Sequence, residues 1–126
     1  MARLVRKNYP QLGEVNAPYV HAVAHLGALY ISGLTAFGSE AQSGDVVAQA
    51  SEIFRQLKMI ATAEGITLDN LIKVTIFVTS IGSLKALRQV LYANYGESLP
   101  ASSLVEVSAL FSPDLHIEIE AVLALQ

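Results

Sequence analysis

From Asp45 to Glu64, apolar residues return every three or four positions, at Val46, Val47, Ala50, Ile53, Phe54, Leu57, Ile60 and Ala61. That period marks one face of a helix. Asp45 is placed to cap its start and Gly65 to end it. After the polar turn Leu68-Asp69-Asn70 the period changes: Leu71 to Thr79 is dense in Ile, Val, Thr and Phe, as expected of a central strand buried on both faces. A helix that must bury one stripe and a strand that must be covered answer each other's need, so the helix is expected to lie on a sheet.

The remainder of the chain supplies the other parts of that sheet. Residues Tyr19 to Gly33 read as two extended runs, rich in Val20, Val23, Tyr30 and Ile31, turning at Leu26-Gly27, which predicts a hairpin. Ser83 is placed to cap a second helix running through Tyr95, with Leu84, Leu87, Val90 or Leu91 and Tyr95 at helical spacing, and Gly96 and Pro100 stop it. Two more strands are expected near Ser102–Val107 and Leu115–Leu125, and residues 2–7 can add an edge strand. The order is strand pair, helix, strand, helix, strand pair. It predicts an α+β fold with a single mixed sheet and two helices on one face.

A chain of 126 residues without a low-complexity tract or linker fits one domain spanning 1–126. Such a domain buries about 65 to 70% of its unfolded surface. A hydrophobic content of 52% and a mean hydropathy of +0.44 exceed what one small core needs. The helices cover one sheet face only, so the surplus predicts association through the other face. No apolar run reaches the ~20 residues of a membrane span, the segment Met1 to Lys7 lacks the apolar core of a secretory signal, and there is no cysteine. Cytoplasm is the expected compartment. A net charge of −3 with scattered basic residues argues against a nucleic-acid partner, which needs a concentrated basic face.

Common catalytic motifs are absent: there is no Gly-x-Gly-x-x-Gly, phosphate loop, Gly-x-Ser-x-Gly or cysteine nucleophile. His21 and His25 fall four apart in a segment read as strand, where they share a face but lie too far apart to chelate easily. No metal and no cofactor are expected.

Seven short segments, Ala17–Ala22, Tyr30–Gly33, Asp45–Ala50, Lys73–Val78, Val90–Tyr95, Pro100–Val107 and Ile117–Ala121, taken in order, resemble elements of the Rid family, also called the YjgF or reactive-intermediate-deaminase family, with the older label endoribonuclease L-PSP. Ala17-Pro18-Tyr19-Val20-His21-Ala22 is similar to the family's Gly-Pro-Tyr-Ser-Gln-Ala, and Tyr30-Ile31-Ser32-Gly33 to its Tyr-Val-Ser-Gly. Asp45 to Ala50, Lys73 to Val78 and Val90 to Tyr95 resemble its first helix, central strand and second helix. Pro100-Ala101-Ser102-Ser103-Leu104-Val105-Glu106-Val107 and Ile117-Glu118-Ile119-Glu120-Ala121 resemble its carboxy-terminal signature. The likeness covers nearly the whole chain. It implies a chorismate-mutase-like fold, a homotrimer whose three sheets form a central barrel, and clefts between subunits. It further implies hydrolysis of 2-imino acids or enamines to carbonyl compounds and ammonia, without metal or organic cofactor.

The resemblance assigns roles residue by residue. Glu118 matches the family's water-handling glutamate, with one inserted residue in the preceding turn, and Glu120 is the weaker candidate. Tyr19, Ser32 and Gly33 match cleft residues, while His21 stands where the family often has glutamine. Ser102 occupies the position of the arginine that grips a substrate carboxylate, and Leu104 that of a common cysteine. A serine hydroxyl is neutral and lacks the guanidinium's paired-donor fork, so substrate preference is expected to differ. The family also places an asparagine on the second helix; alignment on Tyr92 assigns it to Gln89, and a one-residue shift to Arg88, which could return the missing charge. Each residue has an ordinary structural reading too: Glu118 and Glu120 on a solvated face, Tyr19 and Ser32 in packing, Arg88 on a helix surface. The function expected is an imine or enamine deaminase of altered preference. The alternatives are a metabolite-binding trimer without catalysis and, more remotely, an endoribonuclease or translation inhibitor.

Overall fold

The computed structural model describes residues 3–126. The elements run β1 (Val5–Lys7), β2 (Ala22–His25), β3 (Ala28–Leu34), α1 (Val46–Ala63), β4 (Leu71–Val78), α2 (Leu84–Tyr95), β5 (Ala101–Glu106) and β6 (Ile117–Ala124). The edge strand expected over residues 2–7 forms at Val5–Lys7, and residue 2 lies outside the described residues. Leu26 and Gly27 take φ of 50° and 79°; two successive positive φ values give a hairpin turn whose twist matches the strands it joins.

The sheet has six strands in the order β1-β2-β3-β6-β4-β5. β6 is inserted between β3 and β4 and runs antiparallel to both. β3 and β4 therefore run parallel with a strand between them, a split β-α-β unit whose crossover is α1. β4 and β5 pair in parallel, a connection no tight turn can make, and α2 supplies it. The last two strands, though consecutive, are not neighbours. The most interior position among the late strands belongs to β6, with β4 beside it.

One face of the sheet carries the core. Ile117, Ile119, Ala121 and Leu123 of β6 alternate with more exposed residues, and Val74, Ile76 and Val78 of β4 do the same. They meet Ala50, Ile53, Phe54, Leu57 and Ile60 of α1 and Leu87 and Tyr95 of α2. β4 thus departs from the expected burial on both faces: its opposite side presents the half-buried Lys73, Thr75 and Phe77. With Tyr30, Glu120 and Val122 these make an outer face that no helix covers.

Asp45 caps α1, its carboxylate accepting the Ala48 N–H at 2.9 Å. Ser83 occupies the N-cap position of α2 but makes no side-chain cap bond, correcting the expectation; the backbone turn Ile81–Ser83 leads into the helix instead. Gln49 is fully buried in α1. Its amide donates to the carbonyls of Gln42 and Asp114 at 3.0 and 2.8 Å and accepts from the His116 N–H at 2.7 Å. One side chain so ties the approach to α1 to the approach to β6.

Candidate functional site

β3 and β6 fall out of step between Ile31 and Leu34: β3 spends three steps, from Ile31 to Leu34, where β6 spends two, from Ala121 to Ile119. The extra residue is a bulge at Ser32-Gly33, which bends the strand and re-aims its side chains. At the bend the Ser32 N–H donates to the His21 carbonyl at 3.0 Å and the Ser32 hydroxyl to the Val20 carbonyl at 2.6 Å. Gly33 lies against the Glu118 carboxylate so closely that any Cβ there would collide with Oε2. A side chain at this position would make the Glu118 carboxylate turn away, so glycine is what lets it rest against the bulge.

Glu118 is half-buried and opposite Phe77 of β4. Neither carboxylate oxygen has a hydrogen-bond partner among the described residues. Burial first, and then the charge of Glu120 two residues along the same face, hold its pKa above the ordinary glutamate value. Lys73, the cation on the neighbouring strand, donates instead to Ser103 Oγ at 2.8 Å. Glu118 is thus a carboxylate with free lone pairs in a partly desolvated place, as a general base requires.

Beside the bulge is a cavity of about 220 Å³. Tyr19, His21, Ser32, Gly33, Phe37 and Phe111 are among the residues that line it, and Glu118 is not. Phe37 and Phe111 touch at 5.2 Å between ring centroids, tilted by 58°, and with Tyr19 they are more than half exposed. His21 is not on the strand where the extended run from Tyr19 placed it with His25, but immediately before β2. Among the described residues no three His, Cys, Asp or Glu side chains cluster to hold a metal.

The remaining expected residues gather elsewhere. Cross-strand partners share a face, so Ser102, opposite Val74, and Leu104, opposite Ile76, point to the helix side. Glu118 is on the other side. Ser102 lines a second cavity, of about 190 Å³, with Arg88, Leu91, Tyr92, Tyr95 and Leu99. Gln89 is exposed on α2 and does not line it. Leu104 packs against the core. The Tyr95 hydroxyl is buried there with no hydrogen-bond partner among the described residues, and burial pushes its pKa up to about 12. Within one chain the predicted site residues therefore form two groups, Tyr19, Ser32 and Gly33 with Glu118 beside them, and Arg88 with Ser102; Glu118 and Ser102 stand on opposite faces of the sheet. Sequence reasoning left Phe37, Phe111 and Tyr95 out of the site. The aromatic pair sits in loops without periodicity, and Tyr95 reads as core.

The split β-α-β sheet, the bulge and the glutamate beside it define an α+β domain of the YjgF type. A structure of a protein of unknown function from Pseudomonas aeruginosa has the same fold, with TM-score 0.90 and 30% identity, covering 100% of this chain and 95% of that one. A RutC family protein of Pyrococcus horikoshii is 33% identical over 108 residues, 83% of this chain and 85% of the relative. The 2-iminobutanoate/2-iminopropanoate deaminase of Salmonella typhimurium is 33% identical over 111 residues, with 83% and 85% covered. The sequence profile described as endoribonuclease L-PSP matches residues 11–125. The chain belongs to this family, the YjgF or Rid family.

Proposed function

We propose that the protein is a Rid-type deaminase, hydrolysing a reactive imine or the enamine that tautomerises to it, with a substrate preference altered by Ser102. The observation that carries this is Glu118: an unpaired, partly desolvated carboxylate seated over Gly33, next to a cavity of about 220 Å³ that Gly33 lines. Glu118 takes a proton from water as the water oxygen bonds to the imine carbon, and the nitrogen takes up a proton, giving a carbinolamine. The carbinolamine nitrogen gains a second proton and leaves as ammonia as the C–N bond breaks, while the hydroxyl gives up its proton and the carbonyl forms. The overall change is an imine plus water to a carbonyl compound plus ammonia.

The site is completed between subunits of a homotrimer, where the outer sheet faces meet in a central barrel and the Arg88–Ser102 group of one subunit approaches the Glu118 group of its neighbour. Two observations support this arrangement. The two groups cannot meet within one chain, and the outer face presents Tyr30, Phe77 and Val122 without a covering layer. Arg88, lining the cavity that includes Ser102, is the cation able to receive a carboxylate in place of the family arginine; Gln89 lies outside it. The cytoplasm remains the proposed compartment, and no helix is long and apolar enough to cross a membrane among the described residues.

A second reading, a metabolite-binding trimer without catalysis, is favoured by one observation: the Ser32 hydroxyl spends its proton on Val20 and cannot donate to a substrate without releasing it. Ammonia release from a panel of imines with and without carboxylates separates the two. Release that Glu118→Gln abolishes supports the deaminase. Ligand binding without release from any imine supports the binding protein and sinks the first reading.

A further inference from the structure

Residues 8–19, most of the connection from β1 to β2, supply Leu12, Glu14, Val15 and Tyr19 to the lining of the cavity beside the bulge. Few bonds hold them there. Among the described residues, the hydrogen bonds that leave this stretch end on His21 and Glu64. Asn8 Oδ1 accepts the His21 N–H at 2.9 Å, the Tyr9 N–H donates to His21 Nδ1 at 2.9 Å, and the Tyr9 hydroxyl donates to Glu64 Oε2 at 2.7 Å. The Tyr9 and His21 rings also stack, with planes 21° apart.

The bond at Nδ1 depends on the charge of the ring. A neutral imidazole with its hydrogen on Nε2 accepts at Nδ1, whereas imidazolium donates from both nitrogens. A proton at Nδ1 would set two donors face to face, and with His21 only 7% exposed water has little room to come between them. The titratable and charged groups around the ring are Tyr9 stacked on it, Glu14 and Tyr19 in the shared cavity lining, Glu118 against Gly33, and Glu64 with Lys7 beyond the Tyr9 hydroxyl. The carboxylates among them have the sign that favours imidazolium, but burial prevails and holds the His21 pKa below the usual imidazole value. Folding therefore favours the accepting form. Its stabilisation is present above the unfolded pKa and is lost as pH falls through the folded one.

We propose that residues 8–19 form an acid-released strap: a proton taken up from solvent at His21 Nδ1 breaks the bond from the Tyr9 N–H and frees the wall these residues lend to the cavity. Glu64 is the second hold, and its lowered pKa shows that its bonds from Lys7 and Tyr9 are made to the ionised carboxylate, so it weakens in the same direction. The strap is closed at neutral pH and loosened in acid, whatever the cavity binds.

The test is NMR of the nitrogen-labelled full-length protein, followed from neutral pH to about two units below the ordinary imidazole value of 6.5. At neutral pH Nδ1 should resonate as a bare acceptor and Nε2 as a proton-bearing nitrogen, with the Tyr9 amide protected from hydrogen exchange. As His21 titrates, that protection should fall by about tenfold, the scale of one buried hydrogen bond. The amide resonances of Leu12 and Val15 should move with the same midpoint. Tyr9→Phe, which removes the hydroxyl bond to Glu64 and keeps the backbone N–H, should retain the step. His21→Gln should remove it, since an amide oxygen accepts the Tyr9 N–H without titrating. If His21→Gln does not fold, the ring and amide titrations of the unmodified protein decide alone. The proposal is overturned by Tyr9 protection that is unchanged through the His21 titration, by a ring that stays neutral over the whole range, or by a proton on Nδ1 at neutral pH. A step that persists in His21→Gln, or vanishes in Tyr9→Phe, would assign the hold to Glu64 and overturn it equally.

Discussion

Glu118 pays for its availability in stability, because no hydrogen bond offsets the burial of its carboxylate. Its folded pKa is raised, so the protonated form is favoured by folding, and stability is lost as pH rises through the folded pKa. Glu118→Gln should therefore raise, or at least not lower, the Tm at neutral pH while reducing ammonia release by about a hundredfold or more; a fall in both would mean the residue is structural. As a base it must be ionised, so the acid limb of kcat/KM should lie above the ordinary glutamate range. Glu120→Gln should move that limb to lower pH by removing the like charge, leaving the effect of burial. Ser102 makes the complementary prediction: Ser102→Arg should raise kcat/KM for carboxylated imino acids by roughly tens of fold, the worth of a charged hydrogen-bond partner, with little gain for a neutral imine. Where Arg88 already supplies the charge, Arg88→Ala abolishes turnover of carboxylated substrates and Ser102→Arg rescues it. Efficient turnover that neither Arg88→Ala nor Gln89→Ala changes would remove this account of carboxylate handling.

Among the elements, the segment before β2 is held to the end of α1 by Glu64. Its carboxylate receives Lys7 Nζ at 2.7 and 2.8 Å and the Tyr9 hydroxyl at 2.7 Å. Burial raises the Glu64 pKa, but the hydrogen bonds from Lys7 and Tyr9 and the Lys7 charge outweigh it, and the net shift is downward. The stabilisation is present above the unfolded carboxyl pKa and is lost as pH falls through the folded one. Tyr9→Phe should cost about 1 kcal/mol in denaturant unfolding at neutral pH, a hydrogen bond to a partly exposed charge, and less in acid. Because Tyr9 also holds His21 Nδ1 through its backbone, the tyrosine ring can be altered without removing that bond. Gln49→Ala should be more severe, about 2 to 4 kcal/mol, since it strands two carbonyls and one N–H around a closed cavity.

At the scale of the whole molecule, the uncovered sheet face together with the family resemblance leads us to expect a mass in solution near three times 13.5 kDa, measured by light scattering. A stable monomer at micromolar concentration would sink the trimer and with it the proposed joining of the two groups. The helices, the Leu26-Gly27 turn and the Asp45 cap were legible in the chain because each depends on neighbours within about four residues. The family was legible for a related reason, since short motifs kept their order. The sheet order was not legible: β6 inserts between β3 and β4 because the core faces of distant segments match, and nothing local to Ile117–Ala124 says so. Nor could spacing show that Ser102 and Glu118 face opposite sides, because that follows from the register of β5 and β6 on β4. The same holds for His21, whose free nitrogen is known only once Tyr9, twelve residues earlier, has claimed the other. The sequence by itself determined which segments are helix and strand and which family they compose, because periodicity, turns and motifs are short-range. Tertiary structure alone decided which polar groups are spent on the fold and which stay free for a ligand, because that depends on partners the chain brings from far away.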